Sequence, residues 1–95
     1  MYLAIAGEIY DVSSARHLYG KGGAYHAFVG KDSSRAFAFG CQNEEHAHGP
    51  DCFSAKVDDL SRMQQASLES WLSFYAQRYP FVGYVHRKAN KEHPA

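Results

Sequence analysis

Residues 61–86 read SRMQQASLESWLSFYAQRYPFVGYVH, and they contain the signals for one long helix followed by a strand. Ser61 and Gln64 make the S-x-x-Q capping box that is typical of a helix N-terminus. The apolar residues that follow recur at intervals of four, three and four positions: Leu68, Leu72, Tyr75 and Tyr79. This spacing predicts an amphipathic helix over residues 62–79. Pro80 ends the helix, and FVGYVH predicts a closing strand over residues 81–86.

The start of the chain predicts the rest of the sheet. Residues 2–12, YLAIAGEIYDV, place β-branched and aromatic residues on both sides of Ala6 and Gly7, which is typical of two short strands joined by a tight turn. Strands at both ends of a chain, with several short helices between them, indicate the α+β class. We therefore expect a small sheet, several short helices and one longer helix near the C-terminus.

Short elements are predicted after the hairpin. Ser13 and Ser14 are candidate caps for a helical turn that runs through Leu18. Residues 19–23 hold three glycines and predict a loop, and a short helix is predicted over residues 24–29.

A second short helix is predicted to begin at Asp32 or Ser33 and to stop at Gly40. Three of its residues are expected to face inward: Ala36, Phe37 and Phe39. Residues 41–59 show no sustained periodicity and include the polar stretch CQNEEHAHGPDC, so they predict a long surface loop.

Length and charge limit the function classes. The chain has 95 residues, enough for one domain with a single core. Ten Lys and Arg balance ten Asp and Glu, so the chain lacks the excess positive charge typical of nucleic-acid-binding domains. No apolar run is long enough to cross a bilayer, and we expect neither nucleic-acid binding nor membrane contact by this segment.

Aromatic residues make up 15% of the chain, and seven of them are tyrosines. A phenol joins a flat apolar ring to a polar tip, so this excess suits a pocket for a flat or amphipathic ligand. The alternative is a small core that uses large side chains to bury more area per residue.

Two patterns that resemble known sites fail on spacing. The glycines at positions 20, 22 and 23 lack the further glycine that a dinucleotide or phosphate loop needs at position 25, where Tyr25 stands. No serine lies in a G-x-S-x-G turn. We therefore expect neither nucleotide binding nor enzyme activity from the side chains alone.

The two cysteines flank the predicted loop, and two histidines lie between them: Cys41, His46, His48 and Cys52. Two thiolates and two imidazoles could form a tetrahedral zinc site, but the spacing matches no zinc-finger pattern. Unpaired thiols are a further alternative. We expect a disulfide, which would fit an oxidising compartment.

Three segments together resemble the cytochrome b5-like heme/steroid-binding domain of the membrane-associated progesterone receptor family. They are YLAIAGEIYDVS, YGKGGAYHAFVGKDSSRAFA and DDLSRMQQASLESWLSFYAQRYPFVGYV, and they span residues 2–85. The resemblance implies a domain over residues 1–86 and a polar tail over residues 87–95. It also implies that a strand and a helix found upstream in the family are missing here.

The resemblance implies a heme site built from tyrosines. Classical cytochrome b5 has a histidine in an HPGG turn, but this chain has YGKGG there. The family pattern Y-G-x-x-G-x-Y matches Tyr19 and Tyr25, and it makes Tyr25 the axial ligand of the iron of heme b. Tyr19, Arg78 and Tyr79 are the implied supporting residues. His26 is a potential competitor, although neighbouring helical residues point about 100° apart.

The resemblance further implies a non-enzymatic heme-binding domain that acts through partners, among them cytochrome monooxygenases. It implies a heme-mediated homodimer and a location that is secreted or in the endoplasmic reticulum and endomembranes. The alternatives are an interaction scaffold with a degenerate pocket and a binder of steroids or other small hydrophobic ligands. Electron transfer of the cytochrome b5 kind is less expected, because an anionic oxygen ligand favours ferric iron.

Overall fold

A computed structural model describes residues 1–41 and 52–85. Its strands are β1 (Tyr2–Ile5), β2 (Glu8–Asp11) and β3 (Phe81–Tyr84). Its helices are α1 (Arg16–Tyr19), α2 (Ser34–Phe39) and α3 (Arg62–Arg78), with 3₁₀ turns at Ser13–Ala15 and His26–Phe28. The predicted α+β class is confirmed. In this part of the chain no helix is both long and apolar enough to cross a membrane.

The sheet is antiparallel, with β2 between β1 and β3. Ala6 and Gly7 join β1 to β2 with φ angles of 52° and 80°, the left-handed pair that a type I′ hairpin turn requires. Side chains from the start of α2 fix this turn from outside. The Ala6 N–H donates to the Ser34 Oγ at 2.6 Å, and the Gly7 N–H donates to the Asp32 carboxylate at 3.0 Å.

The predicted long helix and closing strand are present. The Gln64 N–H donates to the Ser61 Oγ at 3.1 Å, and the Ser61 N–H donates to the Gln64 Oε1 at 2.8 Å, so the capping box is complete. Leu68 and Tyr75 turn inward, and helix α3 ends one residue earlier than predicted. Strand β3 ends at Tyr84, and the predicted tail lies outside the described residues.

Three predictions for the short elements need correction. Ser13 lies inside its 3₁₀ turn and does not cap it; its own N–H donates to the Asp11 carboxylate at 2.9 Å. The helix predicted over residues 24–29 is a three-residue 3₁₀ turn. Phe39 is only partly buried, and the Arg35 guanidinium lies over its ring at 4.3 Å from the centroid.

Helix α2 otherwise follows its prediction. It ends at Gly40, whose φ of 80° is the left-handed conformation of a C-terminal glycine cap. Ala36 and Phe37 are buried as expected. At its start, the Ser34 N–H donates to the Asp32 carboxylate at 3.0 Å. Asp32 therefore caps the helix with its side chain, and the Ser33 side chain makes no capping hydrogen bond.

Cys41 and Cys52 form a disulfide, with their Cα atoms 6.5 Å apart, which confirms the predicted pairing. The zinc and free-thiol alternatives are therefore wrong for these cysteines, since both sulfurs are consumed. His46 and His48 lie outside the described residues, as does most of the predicted surface loop. Within the described ranges no group of three His, Cys, Asp or Glu side chains is placed to hold a metal ion.

Candidate ligand-binding cavity

A cavity of about 390 Å³ opens between α1, α2 and α3. This volume lies in the range of about 300–1,000 Å³ that is typical of small-molecule sites. The residues that line it come from these helices and their neighbouring turns: Leu18, Tyr19, Tyr25, Phe28, Ala36, Phe37, Gly40, Cys41, Trp71, Phe74 and Tyr75. None of these lining side chains carries a formal charge. The cavity is therefore suited to a flat, mainly apolar molecule.

The loop between α1 and the second 3₁₀ turn carries Tyr25 to the rim of the cavity. The Tyr25 N–H donates to the Leu18 carbonyl at 2.8 Å, which folds the loop back on α1. Gly23 makes this approach possible, because a Cβ at that position would lie 2.3 Å from the same carbonyl oxygen. Tyr25 is 39% exposed, so one part of its side chain packs against the cavity wall and the rest is accessible to solvent and ligands.

His26 stabilises the same loop and does not line the cavity. Its Nδ1 lies 2.9 Å from the Tyr19 carbonyl oxygen, to which it donates as the N–H tautomer. The ring is thereby turned towards the backbone of α1. In this arrangement the imidazole does not compete with Tyr25 for a ligand in the cavity.

Tyr19 lies deeper in the wall and is 3% exposed. Its ring centroid is 5.9 Å from that of Tyr25, and its hydroxyl lies 2.6 Å from the hydroxyl of Tyr75. Burial raises the pKa of Tyr19 to about 12, although its hydrogen bond with Tyr75 acts in the opposite direction. Burial and the hydrogen bond to Tyr19 also raise the pKa of Tyr75. Both side chains are therefore neutral phenols at physiological pH.

The other two predicted residues lie outside the lining of the cavity. Tyr79 stands behind the wall, with its ring centroid 6.2 Å from that of Tyr19 and 5.6 Å from that of Tyr75. Arg78 lies on the outer side, and its guanidinium covers the Phe74 ring at 4.7 Å. The structure thus brings Tyr19 and Tyr25 to one wall of the cavity, and Tyr79 packs behind that wall. The Phe74 ring separates Arg78 from the cavity.

Sequence reasoning missed the contribution of α3 to the cavity. Trp71, Phe74 and Tyr75 line it, whereas the apolar spacing assigned Tyr75 only to the core. A signal was present, because residues three and four apart on a helix share a face, and Trp71, Phe74, Tyr75 and Arg78 follow that spacing. The rings of Trp71 and Phe74 are in contact, with centroids 5.4 Å apart.

The donor chemistry of this cavity fits a ferric heme. A porphyrin needs an apolar slot, and iron(III) accepts a tyrosine oxygen as axial ligand in known heme proteins. Tyr25 offers such an oxygen at the rim, while the disulfide removes Cys41 from competition. A planar apolar molecule of another kind, such as a steroid, meets the same apolar walls and the same phenols.

Comparison with known proteins agrees with this geometry. The family model described as cytochrome b5-like heme/steroid-binding domain matches residues 1–86. Neuferricin of Danio rerio is 46% identical over 83 residues, which are 87% of this chain and 29% of neuferricin. The chain therefore spans less than a third of that relative.

Plant proteins are also similar. Probable steroid-binding protein 3 of Arabidopsis thaliana is 35% identical over 85 residues, which cover 90% of this chain and 79% of that protein. The solved structure of an Arabidopsis thaliana hypothetical protein with a cytochrome b5-like fold superposes with a TM-score of 0.76 at 35% identity, covering 90% of this chain and 73% of that one. The chain belongs to the cytochrome b5-like heme/steroid-binding domain family.

Proposed function

We propose that this domain binds heme b, with the Tyr25 oxygen as axial ligand of ferric iron, and that it acts without catalysis of its own. The observation that carries the proposal is the position of Tyr25. Its phenol stands at the rim of an apolar, aromatic cavity on a loop fixed by the Leu18 carbonyl and by His26. The family supplies the ligand class, heme or steroid.

The difference in burial between Tyr25 and the two other phenols of the cavity supports Tyr25 as the ligand. A tyrosine must lose its proton to bind ferric iron, and burial opposes that loss at Tyr19 and Tyr75, where the pKa is raised. Tyr25 is 39% exposed, so its phenolate would be partly solvated. When bound, heme would supply a ferric centre for ligand or redox chemistry. The chain would hold the porphyrin against the aromatic wall of the cavity and stabilise the phenolate with nearby donors.

Arg78 and Tyr79 have supporting roles in this proposal. The Arg78 guanidinium is fixed over Phe74, a ring of the cavity wall, and would place a positive charge within reach of a heme propionate. Tyr79 packs against both Tyr19 and Tyr75, so it would hold the deep end of the wall in shape.

A second copy of the chain is the proposed first partner. A heme held by one phenol leaves its other face apolar and exposed, and stacking of two such faces removes that area from water. Cytochrome monooxygenases are a further proposed class of partner, by family resemblance. The disulfide supports a secreted or endomembrane location, because such bonds persist in oxidising compartments.

Binding of a steroid or another small hydrophobic ligand is the second candidate function. It is favoured by the uncharged lining of the cavity and by the name of the Arabidopsis relative. A degenerate pocket that serves only as a scaffold, and electron transfer of the cytochrome b5 kind, remain the weaker alternatives.

The deciding experiment is a hemin titration followed by visible absorption. We expect a high-spin ferric spectrum with a phenolate charge-transfer band for the wild type and for Tyr84→Phe, a control at an exposed tyrosine of β3. Tyr25→Phe removes one oxygen and almost no volume, so it should fold and lose that band. An unchanged spectrum in Tyr25→Phe, combined with loss of hemin binding in His26→Ala, would identify His26 as the iron ligand and contradict the proposal. Absence of any Soret shift in the wild type would refute heme binding.

A further inference from the structure

The disulfide between Cys41 and Cys52 forms part of the cavity wall. Cys41 follows Gly40, the left-handed residue that ends α2, and both residues line the cavity. The Cys41 N–H donates to the Ala36 carbonyl at 3.0 Å, and Ala36 is a lining residue as well. The two cysteines are 3% and 2% exposed. The bond is therefore buried, and one of its ends belongs to the site where a ligand would lie.

The residue after Cys52 packs against the aromatic part of the lining. The Phe53 ring meets the Phe28 ring edge-on, with the two centroids 5.2 Å apart. Phe28 in turn stacks on Phe37 at 4.7 Å, and both of these rings line the cavity. A displacement of Cys52 would therefore reach the ligand site through Phe53.

Noncovalent contacts tie the same segment to α2. The Arg35 N–H donates to the Ser54 carbonyl at 3.0 Å, and the Arg35 guanidinium pairs with the Asp59 carboxylate at 2.6 Å. These contacts do not involve the sulfurs, so they can persist when the disulfide is broken. We therefore expect loss of the disulfide to change the cavity wall locally, with the segment after Cys52 still attached to α2.

Breaking the disulfide must rearrange this wall. A disulfide holds its two sulfurs at bonding distance, whereas two thiols must separate to van der Waals contact. Protein interiors are close-packed, so buried sulfurs cannot move apart without shifting their neighbours. The groups that must shift are Cys41 itself, in the lining, or Phe53, next to Phe28. Either shift changes the shape of the cavity.

We infer that the Cys41–Cys52 disulfide and the cavity are coupled: a planar apolar ligand protects the disulfide from reduction, and reduction weakens ligand binding. The coupling is reciprocal, because the ligand changes the reduction equilibrium by the same factor by which reduction changes the affinity. The inference rests on the proposed function for the location of the ligand, but it does not require that the ligand be heme. The domain thus retains its ligand in an oxidising compartment and releases it where a dithiol reductant is present.

The reductant in this inference is a dithiol. One of its thiolates attacks a cysteine sulfur, the S–S bond breaks, and the leaving cysteine sulfur takes a proton. The second thiolate of the reductant then displaces the other cysteine from the mixed disulfide. The reductant ends as a cyclic disulfide, and two electrons and two protons have passed to the cysteines. Attack needs access to a buried sulfur, and a ligand in the cavity covers the wall that contains Cys41.

The test measures reduction of the folded, oxidised protein by dithiothreitol, with alkylation and mass spectrometry as the readout. Protoporphyrin IX without iron is the first ligand probe, because its binding reports the shape of the cavity alone. Testosterone is the second probe, a steroid without a porphyrin ring. Trp71 is the only tryptophan of the chain and lines the cavity, so quenching of its fluorescence reports the affinity.

We expect reduction of the disulfide to weaken protoporphyrin IX binding about fivefold or more, which is the range of typical coupling between two sites. The ratio of reduced to oxidised dithiothreitol that reduces half of the protein should rise by the same factor when the probe is saturating. The double variant Cys41→Ala and Cys52→Ala is the control. Its affinity for the probe should not respond to dithiothreitol, because no disulfide remains to be broken.

Global unfolding is the competing explanation, since any ligand of the folded state also lowers the unfolded fraction. The rate of reduction in low concentrations of urea separates the two routes. Local opening at the cavity should give a rate that changes little with urea, whereas reduction through global unfolding should accelerate with the urea dependence of unfolding. These rates are measured on the oxidised protein, so they decide the question even if the reduced protein does not fold.

Two results would overturn the inference: a saturating probe that leaves reduction unchanged, or a reduction rate that follows global unfolding. If hemin gives the phenolate spectrum while protoporphyrin IX binds without protecting the disulfide, the heme proposal stands and the coupling falls. If hemin and protoporphyrin IX fail to bind while testosterone protects the disulfide, the heme proposal falls and the coupling stands. Binding of none of these molecules would overturn both.

Discussion

The hydroxyls of Tyr19 and Tyr75 lie 2.6 Å apart although 56 positions separate the two residues in the chain. This contact joins α1, next to the glycine-rich loop, to the last turn of helix α3. Both tyrosines are buried, so their hydrogen bond is shielded from solvent. The position of Tyr25 depends on this hydrogen bond, because the Tyr25 ring packs on Tyr19.

Replacing Gly23 with alanine should damage the cavity more than the small size of the change suggests. The added Cβ would meet the Leu18 carbonyl oxygen at 2.3 Å, a backbone atom that cannot turn aside. We expect a loss of about 1–3 kcal/mol in the free energy of unfolding, the usual range for overpacking, and weaker hemin binding because Tyr25 shifts. Urea unfolding and hemin titration measure the two effects.

Gly83→Ala is the matched control for that change. A Cβ at Gly83 has no heavy atom within 4 Å, and the residue lies in β3, away from the cavity lining. Its hemin affinity should equal that of the wild type. Equal affinities in Gly23→Ala and Gly83→Ala would show that the loop does not position the ligand.

Alkaline pH should unfold the domain through its buried phenols. Burial raises the pKa of Tyr10 and of Tyr19 from 10.0 to about 12. A group with a raised folded-state pKa contributes stability that is fully present below its unfolded pKa and is lost as the pH rises through the folded value. Stability should therefore fall between pH 10 and pH 12, by an amount on the order of 1–3 kcal/mol for Tyr19.

The measurement is urea unfolding at several pH values in that window. Tyr19→Phe has no proton to lose at this position, so its stability should fall less steeply with pH than that of the wild type. Parallel curves for the wild type and Tyr19→Phe would contradict the assignment of the raised pKa to Tyr19.

Local signals predicted the frame of this fold, and long-range contacts decided the rest. The capping box of Ser61 and Gln64 and the turn at Ala6 and Gly7 involve neighbours in sequence, so the pattern alone indicated helix α3 and the hairpin. Residues 24–29 predict a short helix that stops at Gly30. In the structure, stacking of Phe28 on Phe37 at 4.7 Å accompanies a single 3₁₀ turn there.

The candidate site was predictable only through resemblance. No spacing rule brings Tyr19 and Tyr25 into one cavity, and the family pattern supplied both. Tyr75 was not predicted as a lining residue, because helical periodicity assigns a buried tyrosine to the core. Its hydroxyl contact with Tyr19 depends on how α3 packs against α1. The family pattern implies that Arg78 lies near the ligand. In the structure its guanidinium lies over the Phe74 ring, so one aromatic side chain stands between Arg78 and the cavity.

The disulfide should protect the domain against unfolding. Eleven positions separate Cys41 from Cys52, and closing a loop of this length stabilises a protein by about 3 kcal/mol in the chain-entropy model. Mass spectrometry after alkylation of the unreduced protein should find neither thiol modified. Reduction, or the double change Cys41→Ala and Cys52→Ala, should lower the free energy of unfolding by roughly 2–4 kcal/mol.

A reductant added to the double variant is the control, because no disulfide remains for it to break. Its stability should be the same with and without the reductant. Alkylation of both thiols in protein made under oxidising conditions would refute the pairing. Because Cys41 lines the cavity, hemin affinity of the reduced wild type is the natural second readout.

Hemin should change the mass of the domain in solution. If Tyr25 holds one face of the heme, the opposite face presents a flat apolar surface to water, and a second loaded copy can cover it by stacking. Light scattering should then give about the monomer mass without hemin and about twice that mass with it, since stacking pairs two faces and leaves none free. Tyr25→Phe should remain a monomer under the same conditions, because the iron would have lost its ligand, while Tyr84→Phe should dimerise like the wild type. A monomer that binds hemin tightly and shows the phenolate spectrum would retain Tyr25 as the ligand and exclude the stacked pair.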